Sequence, residues 1–381
     1  MRFIPDRLDS SQVFDIFTHM NSKIYIITSN YLPKIGGIET QTNILAKSFV
    51  RKGIDTNIIT ESRGYHEDDQ IMNSVTRIRS YPYSVFINFI IMLFTLMRVL
   101  KQKDIDLIIC RSVTKITIIP LILKLFNLVK TDVVIFIDTY EELEYIEKIP
   151  YPGKIIIKFL LNKKGILIAP SSGVKEKLIE LEYLEDRIAL IPNGIEVLEI
   201  ETPNQDRTIP NSFAFLGTLN ANKGISEVVN VFLTLCPLYP SLFLHIAGDG
   251  ILRSELTKRV ESHGLENQII FVGSIISASS RNLFLQNKRY FIFASKRETF
   301  GLSVFEAAYQ GLSVFARPVA DVPRYLSDCA YFFETENDLK TLVTLALEKN
   351  LPPKRNDRSF IKSLDIDNIT KILLDKEFLS K

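Results

Sequence analysis

Alternating strand-like and helix-like segments constrain the fold of this 381-residue chain more than any other feature. A first strand, rich in Ile and Tyr, is predicted at 23–29, and a helix is predicted at 39–52 after a loop with two glycines. Gly53 stands where a glycine is expected to end that helix. Further apolar runs of strand length lie at 56–60, 106–110, 132–137 and 165–169. This pattern predicts a mostly parallel sheet with helices on both faces.

A stretch rich in proline and polar residues interrupts the alternation at 199–211 and predicts an interdomain linker. Behind it the strand-length apolar runs resume, at 212–216, 242–247, 268–272, 290–294 and 313–316. The end of the chain, 360–379, is predicted to be a helix. A chain of this length is too long for one ordinary core, so we predict two α/β domains with the active site between them.

Charge and cysteine content exclude several classes of protein. The formal net charge is +2, whereas a nucleic-acid-binding protein usually carries a strong basic excess. Cys110, Cys236 and Cys329 are far apart and predict neither a disulfide framework nor a metal site, which fits a reducing cytoplasm best. The first 20 residues lack the apolar core of a signal peptide. For residues 1–19 two interpretations stay open, an appended arm and an artefact of start-site assignment.

One apolar segment, Val85–Leu100, comes closest to a membrane-spanning sequence. It contains Arg98 and is shorter than the roughly 20 apolar residues that a spanning helix needs. We predict a helix, for which two interpretations stay open. Its length favours buried packing, and its apolar character also fits docking onto a membrane surface. In the second case Lys101 and Lys103 would contact anionic head groups.

The richest local pattern for function runs from Glu298 to Gly311. A strand-length apolar run precedes it, and Gly301 stands at the predicted start of a helix. Backbone amides at a helix start are unpaired and carry partial positive charge, which suits a phosphate. Glu298 and Glu306, one on each side, would hold the hydroxyls of a sugar nucleotide. Taken alone, Ser303 and Glu306 fit a capping box better than a ligand site.

A set of motifs follows in order along residues 23–328. The first half contains Pro33-Lys-Ile-Gly-Gly-Ile-Glu39, Ala169-Pro-Ser-Ser172 and Ile191-Pro-Asn-Gly-Ile-Glu196. The second half contains Phe215-Leu-Gly-Thr-Leu-Asn-Ala-Asn-Lys-Gly224, Ala247-Gly-Asp-Gly250, Phe271-Val-Gly273 and the element from Glu298 to Glu306. On this ordered set, rather than on any single motif, the chain resembles the family 4 retaining glycosyltransferases, which have the GT-B fold.

The resemblance implies an α/β protein of GT-B architecture. Two Rossmann-like domains would face each other across a cleft, with the C-terminal helix crossing back to the N-terminal domain. Residues 1–200 would form the acceptor-side domain, and residues 201–381 would bind the nucleotide sugar.

The reaction that the resemblance implies moves a hexose-type sugar, with retention of configuration, from a UDP- or GDP-sugar to a hydroxyl of a glycan or lipid-linked acceptor. Its setting would be assembly of a cell-surface polysaccharide, such as lipopolysaccharide or capsule, or of a glycolipid. The protein would be cytoplasmic, in peripheral contact with the inner face of the membrane. The resemblance implies no cofactor, no metal ion and no nucleic-acid partner.

The resemblance also implies roles for residues. Lys223 would neutralise the donor phosphates, because a leaving diphosphate needs positive partners in the transition state. Glu306 would accept hydrogen bonds from the ribose hydroxyls, and Glu298 would position the transferred sugar. The remaining donor-binding residues are Gly217, Thr218, Gly248, Gly301, Leu302 and Ser303. The acceptor-binding residues are Gly36, Gly37 and Glu39.

Simpler interpretations stay open for several of these residues. Lys223 fits a solvated lysine before a glycine turn. Gly36 and Gly37 fit a plain loop that needs positive φ. Asp249, between two glycines, is most simply a turn residue.

Two departures from the family pattern concern charge near the reacting centre. Thr218 stands where the family usually places an arginine on the donor phosphate. Arg297 is our first candidate for the missing charge, although it equally fits a solvent-facing residue; Arg253 and Arg317 are weaker candidates. Asp138 stands where the family commonly has a histidine near the sugar. It would either contact the sugar or cap the helix that begins near Glu141.

A third departure lies at 319–324. Ala320 and Asp321 replace a pair of glycines, and Arg324 replaces a glutamate. Together with Thr218 and Asp138 these changes favour an alternative, a non-catalytic relative that binds a sugar nucleotide or a partner glycosyltransferase. A sugar-nucleotide epimerase of the same fold is a second alternative, which the combination of Lys223 with Glu298 and Glu306 disfavours.

Overall fold

The computed structural model describes residues 22–32, 36–62, 75–79, 84–101, 104–197, 209–275, 277–349, 351 and 358–375. The expectations for residues 1–19, for Lys103 and for the start of the glycine motif at 33–35 lie outside these ranges. So does most of the linker predicted at 199–211. The domain boundary at residue 200 therefore stays a prediction.

The first half of the described chain forms a parallel sheet in the order β3-β2-β1-β4-β5-β6-β7. Its strands are β1 (Lys23–Thr28), β2 (Asp55–Ser62), β3 (Val75–Arg79), β4 (Leu107–Arg111), β5 (Asp132–Phe136), β6 (Ile166–Ala169) and β7 (Ile188–Leu190). Its helices are α1 (Gly37–Arg51), α2 (Val85–Leu100), α3 (Lys115–Leu125), α4 (Tyr140–Lys148), α5 (Gly153–Lys164) and α6 (Ser172–Glu180). We call this part the first lobe.

The second half forms another parallel sheet, in the order β10-β9-β8-β11-β12-β13. Its strands are β8 (Ser212–Leu216), β9 (Phe243–Ala247), β10 (Ile269–Gly273), β11 (Tyr290–Phe293), β12 (Ser313–Ala316) and β13 (Ala330–Phe332). Its helices are α7 (Ile225–Leu235), α8 (Arg253–Ser262), α9 (Ala278–Gln286), α10 (Leu302–Tyr309), α11 (Val322–Leu326) and α12 (Glu336–Lys349). We call this part the second lobe. The predicted alternation of strands and helices is confirmed.

Helices cover both faces of each sheet, which explains why the strands read as continuous apolar runs. In the first lobe, α2, α3 and α5 pack on the face that carries Ile27 and Ile108, while α1 packs on the face that carries Ile26 and Ile109. In the second lobe, α7 and α12 cover one face and α10 covers the other. In sheets of this kind, ligands bind at the carboxyl ends of the strands.

The end of the chain returns to the first lobe. Of the last two helices, α13 (Arg358–Ser363) packs against α10 of the second lobe through Ile361, whereas α14 (Ile366–Leu374) packs against α1 and the first sheet through Ile369 and Leu373. The expected crossing back is confirmed. The expectation of one helix over 360–379 is wrong for the described residues. The helix is interrupted between Ser363 and Ile366. Asp365 caps α14 with its side chain, and the main chain of Leu364 and Ile366 bonds to Ile195.

The helix expected at Val85–Leu100 is confirmed as α2. Its buried residues are Met92, Leu96 and Leu100, and its exposed apolar residues are Val85, Phe86, Ile87 and Phe94. One side of α2 therefore packs on the sheet and the other side is uncovered. Within the described ranges, no helix combines the length and the apolar character needed to span a membrane.

Candidate active site

The loops that follow β8 and β9 lie against each other at the carboxyl end of the second sheet. The amide of Gly217 donates to the Ala247 carbonyl over 3.0 Å, and the amide of Leu219 donates to the Asp249 carbonyl over 2.9 Å. Gly248 has φ 142, and a Cβ there would lie 1.9 Å from the Gly217 oxygen, so this approach requires glycine. The predicted donor-binding residues Gly217, Thr218 and Gly248 are thus neighbours.

Asp249 is the turn residue that the sequence suggests. Its Oδ1 accepts from the Gly250 amide over 2.7 Å. Its other carboxylate oxygen lies 3.5 Å from the Arg253 guanidinium.

Lys223 ends a short 3-10 turn, Ala221–Lys223, that Asn220 caps by accepting from the Lys223 amide over 3.1 Å. Its ammonium forms an ion pair with the Glu298 carboxylate. The interpretation of Lys223 as a solvated lysine is therefore wrong. Asn222 fixes the two loops to each other, because its amide side chain donates to the Arg297 carbonyl over 3.0 Å.

The helix α10 begins at Leu302, and Gly301 caps it without a side-chain hydrogen bond. Gly301 has φ 90, and a Cβ there would lie 2.7 Å from the Phe293 ring, so a side chain at this position would block the close approach to β11. The capping-box interpretation of Ser303 and Glu306 is wrong, because Ser303 lies inside the helix. The amides of Leu302 and Ser303 are at a helix start, as predicted.

Glu306 binds an arginine that the sequence analysis missed. Arg281, on α9, donates through Nε to both carboxylate oxygens of Glu306 over 3.1 Å, and through Nη2 to Oε1 over 2.9 Å. Both side chains are largely buried. Nothing in the local sequence of α9 marks Arg281, because its partner lies 25 positions away. Each predicted donor-site carboxylate thus has its own cation.

Asp138 follows β5 and is also paired with an arginine that the sequence analysis missed. Its Oδ1 binds the buried Arg111 guanidinium at the end of β4, and its Oδ2 accepts from Ser112 Oγ over 3.4 Å. Burial raises the pKa of Asp138, and the charge of Arg111 opposes that rise. The helix-capping interpretation is wrong, because Thr139 caps α4 by accepting from the Glu142 amide over 3.3 Å.

The sequence did contain a signal for a buried ion pair at Arg111, because this charged residue ends the otherwise apolar strand β4. The β4 sequence is Leu-Ile-Ile-Cys-Arg, and every residue of it is buried. A buried arginine needs an anionic partner, and carboxyl ends of neighbouring parallel strands meet at one edge of a sheet.

The two lobes contact each other at this point. Thr299 Oγ1 donates to the Asp138 carbonyl over 2.9 Å. The Arg297 guanidinium lies 4.7 Å from the centre of the Tyr140 ring and 2.7 Å from Glu144 Oε1. This contact lowers the pKa of Glu144. The structure therefore brings Asp138 and Thr299, the neighbour of Glu298, together, and it directs Arg297 toward α4.

The weaker candidates for the missing charge also have other partners. The Arg317 guanidinium pairs with Glu227 and Arg253 pairs with Asp249. Thr218 itself is exposed. Asp321, one of the departures from the family pattern, accepts from the Ser172 amide over 2.9 Å at the start of α6. It forms a further contact between the lobes.

Of the predicted acceptor-binding residues, Gly36 caps α1, Gly37 is its first residue and Glu39 lies buried in its first turn. The φ of Gly36 is −169°, which is extended backbone, and Gly37 is not among the positive-φ residues. The interpretation of these glycines as a loop requiring positive φ is therefore wrong. Close behind them, Gln41 Nε2 donates to the Gly194 carbonyl over 2.9 Å.

Two family models match this chain. The one described as Glycosyltransferase Family 4 matches residues 35–197, and the one described as Glycosyl transferases group 1 matches residues 199–360. The chain belongs to this family of glycosyltransferases. The alpha-monoglucosyldiacylglycerol synthase of Streptococcus pneumoniae is 25% identical over 355 residues, which cover 85% of this chain and 78% of that protein.

Solved structures of glycosyltransferases share the fold. A glycosyltransferase from Rickettsia africae superposes with a TM-score of 0.69 at 18% identity, covering 94% of this chain and 99% of that one. Anabaena HepE in complex with UDP and glucose superposes with a TM-score of 0.66 at 15% identity, covering 93% and 95%. The GT-B fold that the sequence predicted is thereby confirmed.

Proposed function

We propose that this glycosyltransferase moves a hexose-type sugar from a nucleotide-diphosphate donor to an acceptor hydroxyl, with retention of configuration and without a metal ion. The observation that carries the proposal is the ion pair between Lys223, after β8, and Glu298, after β11; Glu306, which Arg281 binds, lies on α10, the next helix along the chain. The close approach of Gly217 and Gly248 and the start of α10 lie at the carboxyl end of the second sheet. Backbone amides there suit a diphosphate, and carboxylates suit sugar hydroxyls.

Donor binding would exchange the partner of Lys223. A diphosphate is a better ligand for the ammonium than the single Glu298 carboxylate, because it carries more negative charge. Glu298, released from Lys223, would then accept hydrogen bonds from hydroxyls of the transferred sugar. Glu306 has further lone pairs beside those that Arg281 uses, so it would accept from the ribose hydroxyls while Arg281 holds it.

The second positive charge is assigned to Arg297, the neighbour of Glu298 in sequence. To reach the phosphates its guanidinium would have to leave Tyr140 and Glu144. Because that contact is exposed on both sides, its loss would cost little free energy. On the facing lobe, Gly36, Gly37 and Glu39 would border the acceptor.

A UDP-sugar donor and a glycan or lipid-linked acceptor are the substrates we propose. One structural neighbour was solved in complex with UDP and glucose, and the pneumococcal relative is named as an alpha-monoglucosyldiacylglycerol synthase. Exposed apolar side chains on α2, together with Ile155, Ile156 and Phe159 on α5, would provide peripheral contact with the inner face of the cell membrane. The product would be a cell-surface polysaccharide or a glycolipid.

A thermal-shift screen against UDP-, GDP- and other sugar nucleotides tests this proposal. A ligand that binds the native state at 100 times its Kd stabilises the protein by about 2.7 kcal/mol, which raises the melting temperature. We expect one or a few sugar nucleotides to do so, and the ones that bind to be hydrolysed or transferred. A protein that no sugar nucleotide stabilises would overturn the proposal.

The exposed, uncharged Thr218 favours one second candidate, a non-catalytic relative that binds a sugar nucleotide or a partner glycosyltransferase. Stabilisation by a sugar nucleotide without hydrolysis, and without transfer to any glycan or lipid acceptor, would identify this case.

A further inference from the structure

A buried ion pair in the first lobe lies one hydrogen bond away from the loop that carries Glu298. Arg111 and Asp138 stand at the ends of the neighbouring strands β4 and β5, and both side chains are fully buried. The guanidinium carbon of Arg111 lies 4.4 Å from the centre of the Phe136 ring. Ser112, which donates to the same Asp138 carboxylate, has φ 65, a conformation that costs free energy for a residue with a side chain.

Stability alone does not account for this arrangement. A buried ion pair costs so much desolvation that apolar residues of similar volume often stabilise a fold equally well or better. A strained serine adds to that cost. Strained backbone and buried charge are features that proteins retain where geometry at a functional site must be fixed.

What the pair fixes is the peptide carbonyl of Asp138. That oxygen accepts from Thr299 Oγ1 over 2.9 Å, and Thr299 is bonded in sequence to Glu298. The carboxylate of Asp138 is occupied by Arg111 and Ser112, whereas its carbonyl points to the other lobe. A continuous set of contacts therefore runs from the core of the first lobe to the proposed sugar-positioning glutamate of the second.

We infer that Arg111 is a positioning residue, which holds Asp138 so that the Asp138 carbonyl fixes Thr299 and thereby places Glu298. This inference rests on the proposed function for the role of Glu298. It assigns to Asp138 a contribution through its main chain instead of a contact between its carboxylate and the sugar. It also gives a reason for the aspartate at a position where the family commonly has histidine.

Thr299→Val removes the hydrogen bond and keeps the shape of the side chain. We expect kcat for the sugar nucleotide identified by the thermal-shift screen to fall about 10- to 100-fold, since a small misplacement of a positioning group costs that much. The Kd for UDP, the donor fragment held by Lys223 and Glu306, should change less than about 2-fold. Thr299→Ser should restore kcat, and Thr234→Val, an exposed threonine on α7, is the matched control.

Arg111→Met tests the other end of the same set of contacts. We expect a similar loss of kcat, and the double variant with Thr299→Val should be no slower than the slower single variant, because both break one connection. Losses of kcat that multiply in the double variant would overturn the inference, as would unchanged turnover in Thr299→Val. The second result does not depend on whether Arg111→Met folds.

Amide hydrogen exchange separates this inference from the proposed function. In the ligand-free protein, exchange of residues 296–301 should quicken in Thr299→Val and stay at the wild-type rate in Thr299→Ser and Thr234→Val. Unchanged exchange in Thr299→Val would contradict the positioning role even if the protein binds no sugar nucleotide. Conversely, exchange could be faster in Thr299→Val while no sugar nucleotide stabilises the protein. That result would support the hydrogen bond between Thr299 and Asp138 as a positioning contact and would reject the proposed glycosyl transfer.

Discussion

The charged residues on the two sides of the active site are built in opposite ways. In the second lobe, the side chains of Lys223 and Glu298 are 27% and 13% exposed, so a ligand can reach their ion pair and replace one partner. In the first lobe, Arg111 and Asp138 are 2% and 4% exposed, and exchange there would strand a buried charge. The difference in exposure matches the two proposed roles, ligand binding for the pair in the second lobe and fixing of geometry for the pair in the first.

Lys223→Ala should have the largest effect, because it removes the positive partner of the leaving diphosphate. We expect kcat/KM to fall by about 100- to 1000-fold, the cost of removing one strong electrostatic contact in a transition state. Steady-state kinetics measures the loss. Lys296→Ala is the matched control, because the Lys296 ammonium binds Glu227, and it should retain most activity. Wild-type turnover in Lys223→Ala would remove the assigned phosphate role.

Glu142 offers a test of how strongly burial shifts the pKa values of carboxylates in the first lobe, and with them the pH dependence of stability. Glu142 lies in the first turn of α4, close to Asp138, which precedes that helix. Its Oε2 accepts from the Val113 amide over 3.0 Å. Burial, together with the nearby charge of Asp138, raises the pKa of Glu142 to about 8. The folded protein therefore binds this proton more tightly than the unfolded chain does. The stabilisation is fully present below the ordinary pKa of 4.5 and is lost as the pH rises through about 8.

We expect the free energy of unfolding to decline over that window by up to about 1.4 kcal/mol per pH unit, and Glu142→Gln to flatten the decline. Denaturant unfolding at a series of pH values measures both. Glu182→Gln changes an exposed carboxylate on the same lobe and should leave the decline in place. The same slope in Glu142→Gln and wild type would show that Glu142 is not the group that titrates.

Much of the backbone of the proposed donor side was predictable from the sequence because its determinants are local. Glycines at 217, 248 and 301 and the apolar runs before them specify strand, tight loop and helix start within a few residues of sequence. The partners of the charged residues were not predictable in this way. Arg281 meets Glu306 across 25 positions, and Asp321 meets Ser172 across 149, so only the folded arrangement of strands and helices brings them together.

The end of the chain shows the same limit. Its apolar pattern fits one helix, but the main chain of Leu364 and Ile366 bonds to Ile195, which no local pattern records.

Glu306→Gln should have a smaller effect, in which the loss of donor affinity exceeds the loss of stability. The glutamine fills the same space and accepts from Arg281 through its one oxygen, but the largely buried guanidinium loses its anionic partner, so some stability is lost as well. The ribose hydroxyls lose a charged acceptor. We expect donor affinity to fall about 10- to 100-fold, in line with roughly 1.5–3 kcal/mol for a hydrogen bond to a charged group. Calorimetric titration with UDP measures this, and Glu255→Gln, an exposed glutamate on α8, is the control. Equal losses of stability and affinity would assign Glu306 a structural role instead.

Arg297→Met should have the smallest effect on stability. It tests whether Arg297 binds the donor, as we propose for Lys223, or only fixes the contact between the lobes. Its pair with Glu144 is about half exposed on both sides, so removing it should cost less than about 1 kcal/mol of unfolding free energy. If Arg297 supplies the second charge to the donor phosphates, kcat falls about 10-fold in Arg297→Met. Glu144→Gln weakens the same contact from the first lobe and keeps the arginine, so it should turn over at least as fast as wild type. Equal rates in Arg297→Met and wild type would make Arg297 a contact between the lobes and nothing more.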